Sequence, residues 1–134
     1  MPSKVRAALK YGLALFFTIG GIAHFVRPDA YAALIPPQLP WPYFLVYASG
    51  VAEIGFGLLL LTRYRRWAAW GIIATLIAVY PANIYHAVSG GLDDPRLPEG
   101  FASATAAWIR LPFQLLFIAW AWLFTRPDPA QPLT

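Results

Sequence analysis

The chain has 134 residues, of which 59% are hydrophobic and 12% charged, with a mean hydropathy of +0.55. Ordinary soluble domains carry about 25% charged residues, so lipid is the better solvent for this composition. The 10 Lys and Arg against 6 Asp and Glu give +4, but they cluster between apolar runs instead of forming a stripe that tracks phosphates, which argues against nucleic acid; the lack of cysteine excludes disulfides, thiolate metal sites and cysteine nucleophiles.

Crossing a hydrocarbon core of about 30 Å takes about 20 apolar residues in a helix. Four segments qualify, at roughly 7–26, 43–62, 67–88 and 103–124, and they predict an all-α membrane protein, a single domain over 1–126. The first follows Lys4, Arg6 and Lys10 as a signal peptide would, but it ends at Phe25-Val26-Arg27-Pro28 without a small-x-small site, so it is read as a span. Residues 27–42 carry five prolines around the apolar stretch from Tyr31 to Ile35 and predict an interfacial loop with one turn of helix, anchored by Trp41 and Tyr43. Arg63-Tyr64-Arg65-Arg66 separates spans two and three, and Ser89-Gly90-Gly91-Leu92-Asp93-Asp94-Pro95 separates three and four. The tail 127–134 has three prolines and no apolar anchor, which predicts disorder.

The spans are apolar all round, unlike the two-faced helices of a soluble bundle, and they lack the period-two alternation of a barrel. Seven basic residues (Lys4, Arg6, Lys10, Arg63, Arg65, Arg66 and Arg126) flank one side, against Arg27, Arg96 and Arg110 toward the other. The positive-inside rule therefore predicts both termini in the cytoplasm and a multi-pass protein of a bacterial inner membrane.

Ionisable side chains within a span cost about 2.5–3.5 kcal/mol each on insertion scales, so they need partners. His24, Glu53, Asn83, His86, Arg110 and Gln114 all fall between the outer surface and the midplane, although neighbouring spans run in opposite directions. Ser49, Glu53 and Gly57 share a stripe, as do Arg110 and Gln114, while Tyr80, Asn83 and His86 lie close at helical spacing. Gly20, Gly21 and Gly50 beside them permit close helix approach or leave room for a ligand. Pro81 and Pro112 free the carbonyls of Ile77 and Trp108, as kinks or as ligand acceptors.

The expected core is a Glu53–Arg110 ion pair supported by Asn83 and Gln114, either structural or exchanging a proton with a ligand. His24 and His86 could instead serve as axial haem ligands, or join Glu53 around a metal of the two-histidine-one-carboxylate type; both alternatives rest on two histidines alone. Trp41, Tyr43, Trp67 and Trp108 fit interfacial belts, and Trp120 and Trp122 either pack or line a flat cavity.

Gly-Ile-Ala-His-Phe (21–25), Ile-Pro-Pro (35–37), Tyr-Ala-Ser-Gly-Val-Ala-Glu-Ile-Gly (47–55), Tyr-Pro-Ala-Asn-Ile (80–84) and Arg-Leu-Pro-Phe-Gln (110–114), taken in order, resemble the DoxX/DoxX-like membrane family. His24, Glu53, Asn83, Arg110 and Gln114 match its motif positions, and His86 departs from them, where an apolar residue is expected. The resemblance implies a four-helix inner-membrane bundle with a quinone-side role in a redox complex. On that reading Glu53 and His24 handle protons, and Arg110, Gln114, Asn83, Tyr80 and Ser49 bind a quinone-like or other small lipophilic molecule. Partners would be the bilayer, redox-complex subunits or a second copy. The alternatives are a non-catalytic assembly subunit whose polar cluster is structural, and a small membrane enzyme using acid/base chemistry on a lipophilic substrate.

Overall fold

A computed structural model of the chain describes residues 2–98 and 100–127; the tail expected to be disordered lies outside them from residue 128 onward. The described residues form five helices and no strand: α1 (Ser3–Val26), α2 (Pro28–Ala33), α3 (Pro42–Leu59), α4 (Arg65–Val88) and α5 (Ala104–Trp122). Four of them, α1, α3, α4 and α5, are long and apolar enough to cross a membrane, as in a multi-pass membrane protein. Large apolar side chains such as Leu15, Ile19, Phe44, Val51, Trp67, Ile77, Phe113 and Leu116 point outward on all four. In water such a surface would be an aggregation liability; against lipid tails it costs nothing.

Local chemistry sets the helix ends. α1 starts earlier than the hydropathy suggests, because Lys4 and Arg6 are good helix formers and extend it. Pro42 opens α3 at the first helical position, where its missing N–H is no loss. α3 stops at Leu59, sooner than the expected 62, as Leu61 and Thr62 switch to bonds three residues back and tighten the turn. Ser103 caps α5 by accepting from the Ala106 amide at 3.1 Å. Pro81 and Pro112 lie inside α4 and α5, which both continue through them. The turn of helix expected around Tyr31 is present as α2, which Tyr43 ties to α3 by donating to Asp29.

α1 packs chiefly on α3, and α4 on α5, with α3 joining α4. The Arg6 guanidinium donates to the Arg126 carbonyl at 3.4 Å, so both termini lie at one end of the bundle, here the termini end. α2 and the segment from Ser89 to Ser103 cover the other, the loop end. Leu13, Phe17, Leu60, Ile72, Ile73, Leu76 and Phe124 fill the core toward the termini end, which leaves the loop-end half for the polar side chains.

Candidate functional site

Two helices can place polar side chains at their contact only if their backbones come close, and α1 and α3 do so through glycine. A Cβ on Gly21 would stand 2.6 Å from the Gly50 carbonyl and 2.9 Å from the Ile54 amide, and one on Gly50 would stand 2.8 Å from the His24 Cβ. At this seam His24 is buried, and its Nδ1 lies 2.8 Å from the Val46 carbonyl and 3.1 Å from the Ser49 hydroxyl, which itself donates to Val46 at 3.0 Å. Carbonyls only accept, so the Nδ1 atom carries a proton. The other ring nitrogen, Nε2, lies 2.9 Å from Glu53 Oε2. That oxygen sits off the line of the imidazole N–H and has no aligned hydrogen bond. One proton must occupy the Nε2–carboxyl contact, since a lone pair facing a carboxylate would repel it. The proton resides on the ring or on Glu53, so the two side chains share it.

Tyr31 of α2 stacks its ring on His24, with centroids 4.0 Å apart and planes 26° apart. Burial pushes the phenol above its ordinary value and the Glu53 carboxylate adds to the effect, so Tyr31 stays an O–H donor at physiological pH.

α4 and α5 meet through longer side chains. Asn83 donates to the Gln114 side-chain oxygen, and Gln114 donates to the Leu76 carbonyl at 2.6 Å, beside the carbonyl freed by Pro81. Nearer the loop end, Arg110 donates to His86 Nδ1 and, at 3.2 Å, to the Phe101 carbonyl. Its guanidinium lies 4.2 Å from the centroid of the Phe101 ring, a cation–π arrangement. His86, only 1% exposed, turns Nε2 toward the Ala102 carbonyl at 3.4 Å. An Nδ1 that accepts and an Nε2 that donates define a neutral imidazole.

Between the two clusters, at the loop end, lies a cleft of about 140 Å³ lined by Arg27, Ala30, Tyr31, Leu34, Leu97, Pro98 and Phe101. Its walls are apolar apart from Arg27 and the Tyr31 hydroxyl. Tyr31 connects it to His24 and Glu53, and Phe101 connects it to Arg110 and His86. Cavities near 150 Å³ accept a single benzene-sized ring, which fits the size of this one.

The expected site residues therefore separate into two groups. His24, Ser49 and Glu53 come together on α1 and α3; Asn83, Arg110 and Gln114 come together on α4 and α5, joined by His86. The expected Glu53–Arg110 ion pair does not form: Glu53 meets His24, and Arg110 meets His86 and Phe101. Tyr80 is partly buried on α4 without a side-chain hydrogen bond among the described residues. Among the described residues no group of three or more His, Asp and Glu side chains could hold a metal, so His24, His86 and Glu53 do not converge. Both ring nitrogens of each histidine face protein atoms, an arrangement that does not fit axial haem ligation. Tyr31 and Phe101 were not singled out as site residues from the sequence. The available signal for Tyr31 was a lone aromatic within the short apolar stretch of a proline-rich loop.

Residues 13–125 match the profile of a family described as Domain of unknown function (DUF8561). The chain belongs to that family. The match begins within α1 and runs past the end of α5, so the DUF8561 unit comprises both polar clusters and the cleft between them. No curated protein and no solved structure matches the chain.

Proposed function

We propose that this DUF8561 chain is a DoxX-like, multi-pass protein of the bacterial inner membrane, with both termini cytoplasmic. In this reading it binds a quinone-like or other small lipophilic molecule at the loop-end cleft and serves a membrane redox complex. The observation that carries the reading is Tyr31, which lines the cleft and stacks its ring on His24, the histidine whose Nε2 meets Glu53.

A ring carbonyl held in the cleft would accept from the Tyr31 hydroxyl, with Arg27 at the rim as a second donor. Leu34, Leu97 and Phe101 would exclude water, and the opening would let an apolar tail run into lipid. His24 and Glu53 would supply or collect a proton as the ligand changes charge. Electrons would come from a partner subunit. Asn83 and Gln114 bond each other and Leu76, so the donors in this reading are Tyr31 and Arg27.

The test is mass spectrometry of lipophiles co-purifying with the protein, together with titration by a short-tailed benzoquinone. Tyr31→Leu and Arg27→Gln should each weaken binding by about tenfold, the equivalent of one lost hydrogen bond to the ligand of about 1.4 kcal/mol. Absence of any lipophile, with equal quinone binding by wild type and both variants, would overturn the proposal.

The Asn83–Gln114–Leu76 chain favours a second role for the α4–α5 side, as structural glue between helices. An enzyme acting on a lipophilic substrate would use the same His24 and Glu53, and turnover of a bound lipophile would distinguish it.

A further inference from the structure

At the termini end, the turn after α3 and the start of α4 present a different kind of site. Arg63, Arg66, Trp67 and Trp70 line a groove of about 370 Å³. Arg66 is pinned from behind, its Nε donating to the Thr125 carbonyl at 2.9 Å, which leaves its two Nη groups uncommitted among the described residues. Among the described residues the Arg63 side chain bonds its neighbour Tyr64, at 2.7 Å, and lays its guanidinium against that ring. Trp67 is 78% exposed and Trp70 51%, both on the outside of α4.

Among the described residues, charge at this end is one-sided. Lys4, Arg6, Lys10, Arg63, Arg65, Arg66 and Arg126 lie here, whereas the described acids Asp29, Asp93 and Asp94 lie at the loop end and Glu53 lies within the bundle. A groove lined by two guanidinium forks and two amphipathic indoles matches a phosphate at headgroup depth with an acyl chain beside it.

We infer that this groove is a binding site for an anionic phospholipid, its phosphate held by Arg63 and Arg66 and its glycerol and upper acyl region packed on Trp67 and Trp70. The inference rests on the membrane placement proposed above and is independent of the ligand at the loop end. A chain that binds no quinone can still retain this lipid.

Native mass spectrometry of the detergent-purified protein, titrated with phosphatidylglycerol, phosphatidylcholine or inorganic phosphate alone, tests it. Phosphatidylglycerol should remain bound where phosphatidylcholine is stripped, and retention should fall by about fivefold for each of Arg63→Gln and Arg66→Gln. The paired variant Lys4→Gln/Lys10→Gln, at the same end but outside the groove, should retain the lipid as wild type does. If Arg66→Gln misassembles through loss of its Thr125 bond, Arg63→Gln alone carries the test. Equal retention of the two lipids would overturn the site. Equal loss in the Lys4/Lys10 pair would reduce it to diffuse surface charge, and displacement of phosphatidylglycerol by millimolar phosphate would assign it to a free anion; either result overturns the lipid site.

Discussion

The α1–α3 and α4–α5 halves carry polar side chains at the same level of the bundle, yet they tolerate them by opposite means. In the first, Gly21 and Gly50 bring the backbones together, so short spans suffice for His24 to reach Val46, Ser49 and Glu53. In the second, helices carrying Pro81 and Pro112 are bridged by long side chains, Gln114 to Asn83 and Leu76, and Arg110 to His86 and Phe101. The first arrangement sets two ionisable groups in direct contact, with Nε2 of His24 2.9 Å from Glu53 Oε2. The second joins amides, carbonyls, a neutral imidazole and the Arg110 guanidinium, whose Nη groups donate to His86 and Phe101 while its buried Nε has no partner among the described residues. The glycine seam therefore holds the one histidine–carboxylate pair among the described residues, and the other half is bridged by amide and guanidinium hydrogen bonds.

The sharpest way to break this contrast is at the seam. Gly21→Val forces a side chain onto the Gly50 carbonyl and Ile54 amide, backbone atoms that cannot swing aside. The expected cost is about 3 kcal/mol, the upper part of the overpacking range, read as a lowered midpoint in unfolding by sodium dodecyl sulfate. Gly55→Ala is the control: nothing lies within 4 Å of the added methyl, so removing a helix glycine should stabilise by about 0.5–1 kcal/mol. If both variants behave alike, close approach is not what holds α1 to α3.

A smaller effect is expected across the other half. Gln114→Leu strips Asn83 of its acceptor and Leu76 of an added donor, at a cost of about 1 kcal/mol, the scale of interhelical hydrogen bonds in membranes. The double variant Asn83→Leu/Gln114→Leu should recover part of the loss, because no unpaired amide then remains. Strict additivity in that cycle would show that the two side chains do not depend on each other.

The apolar spans, the turn of helix at α2 and the level at which polar residues collect were legible in the sequence, because hydropathy and span direction fix depth. Pairing was not, because depth says nothing of which face a side chain takes around its helix. Glu53 and Arg110 have similar depth and opposite charge, but the Gly21–Gly50 approach turns Glu53 toward His24. Arg110 lies across the bundle with Phe101 beneath its guanidinium. His86 follows the same logic in reverse: a departure from the DoxX-like pattern at a position expected to be apolar, it is nearly fully buried and accepts from Arg110. The cleft was hidden for a further reason, since its walls come from α2 and from the segment after α4, whose mutual approach no periodicity encodes.

That segment offers the finest test of the comparison, because it contributes Leu97 and Phe101 to the cleft and supplies none of the glycines of the α1–α3 seam. It is shaped by Asp94, which accepts from the Arg96 backbone at 2.9 Å and from the guanidinium at 3.0 and 2.8 Å, while the Asp94 carbonyl accepts from the Leu97 amide at 3.2 Å. The Arg96 guanidinium pulls the Asp94 carboxyl from 3.8 down to about 2. A depressed acid stabilises the folded form above its unfolded value and loses that contribution as pH falls through its folded one, here between about 4 and about 2. The pair is exposed, so the global effect should be small. Asp94→Asn should therefore lower amide protection of Leu97 near pH 7 while leaving unfolding by sodium dodecyl sulfate unchanged, and lowering the pH of wild type through that window should reproduce the loss. If protection at His24 and Glu53 fell equally, the two halves would be coupled through the loop, and the division of labour between them would fail.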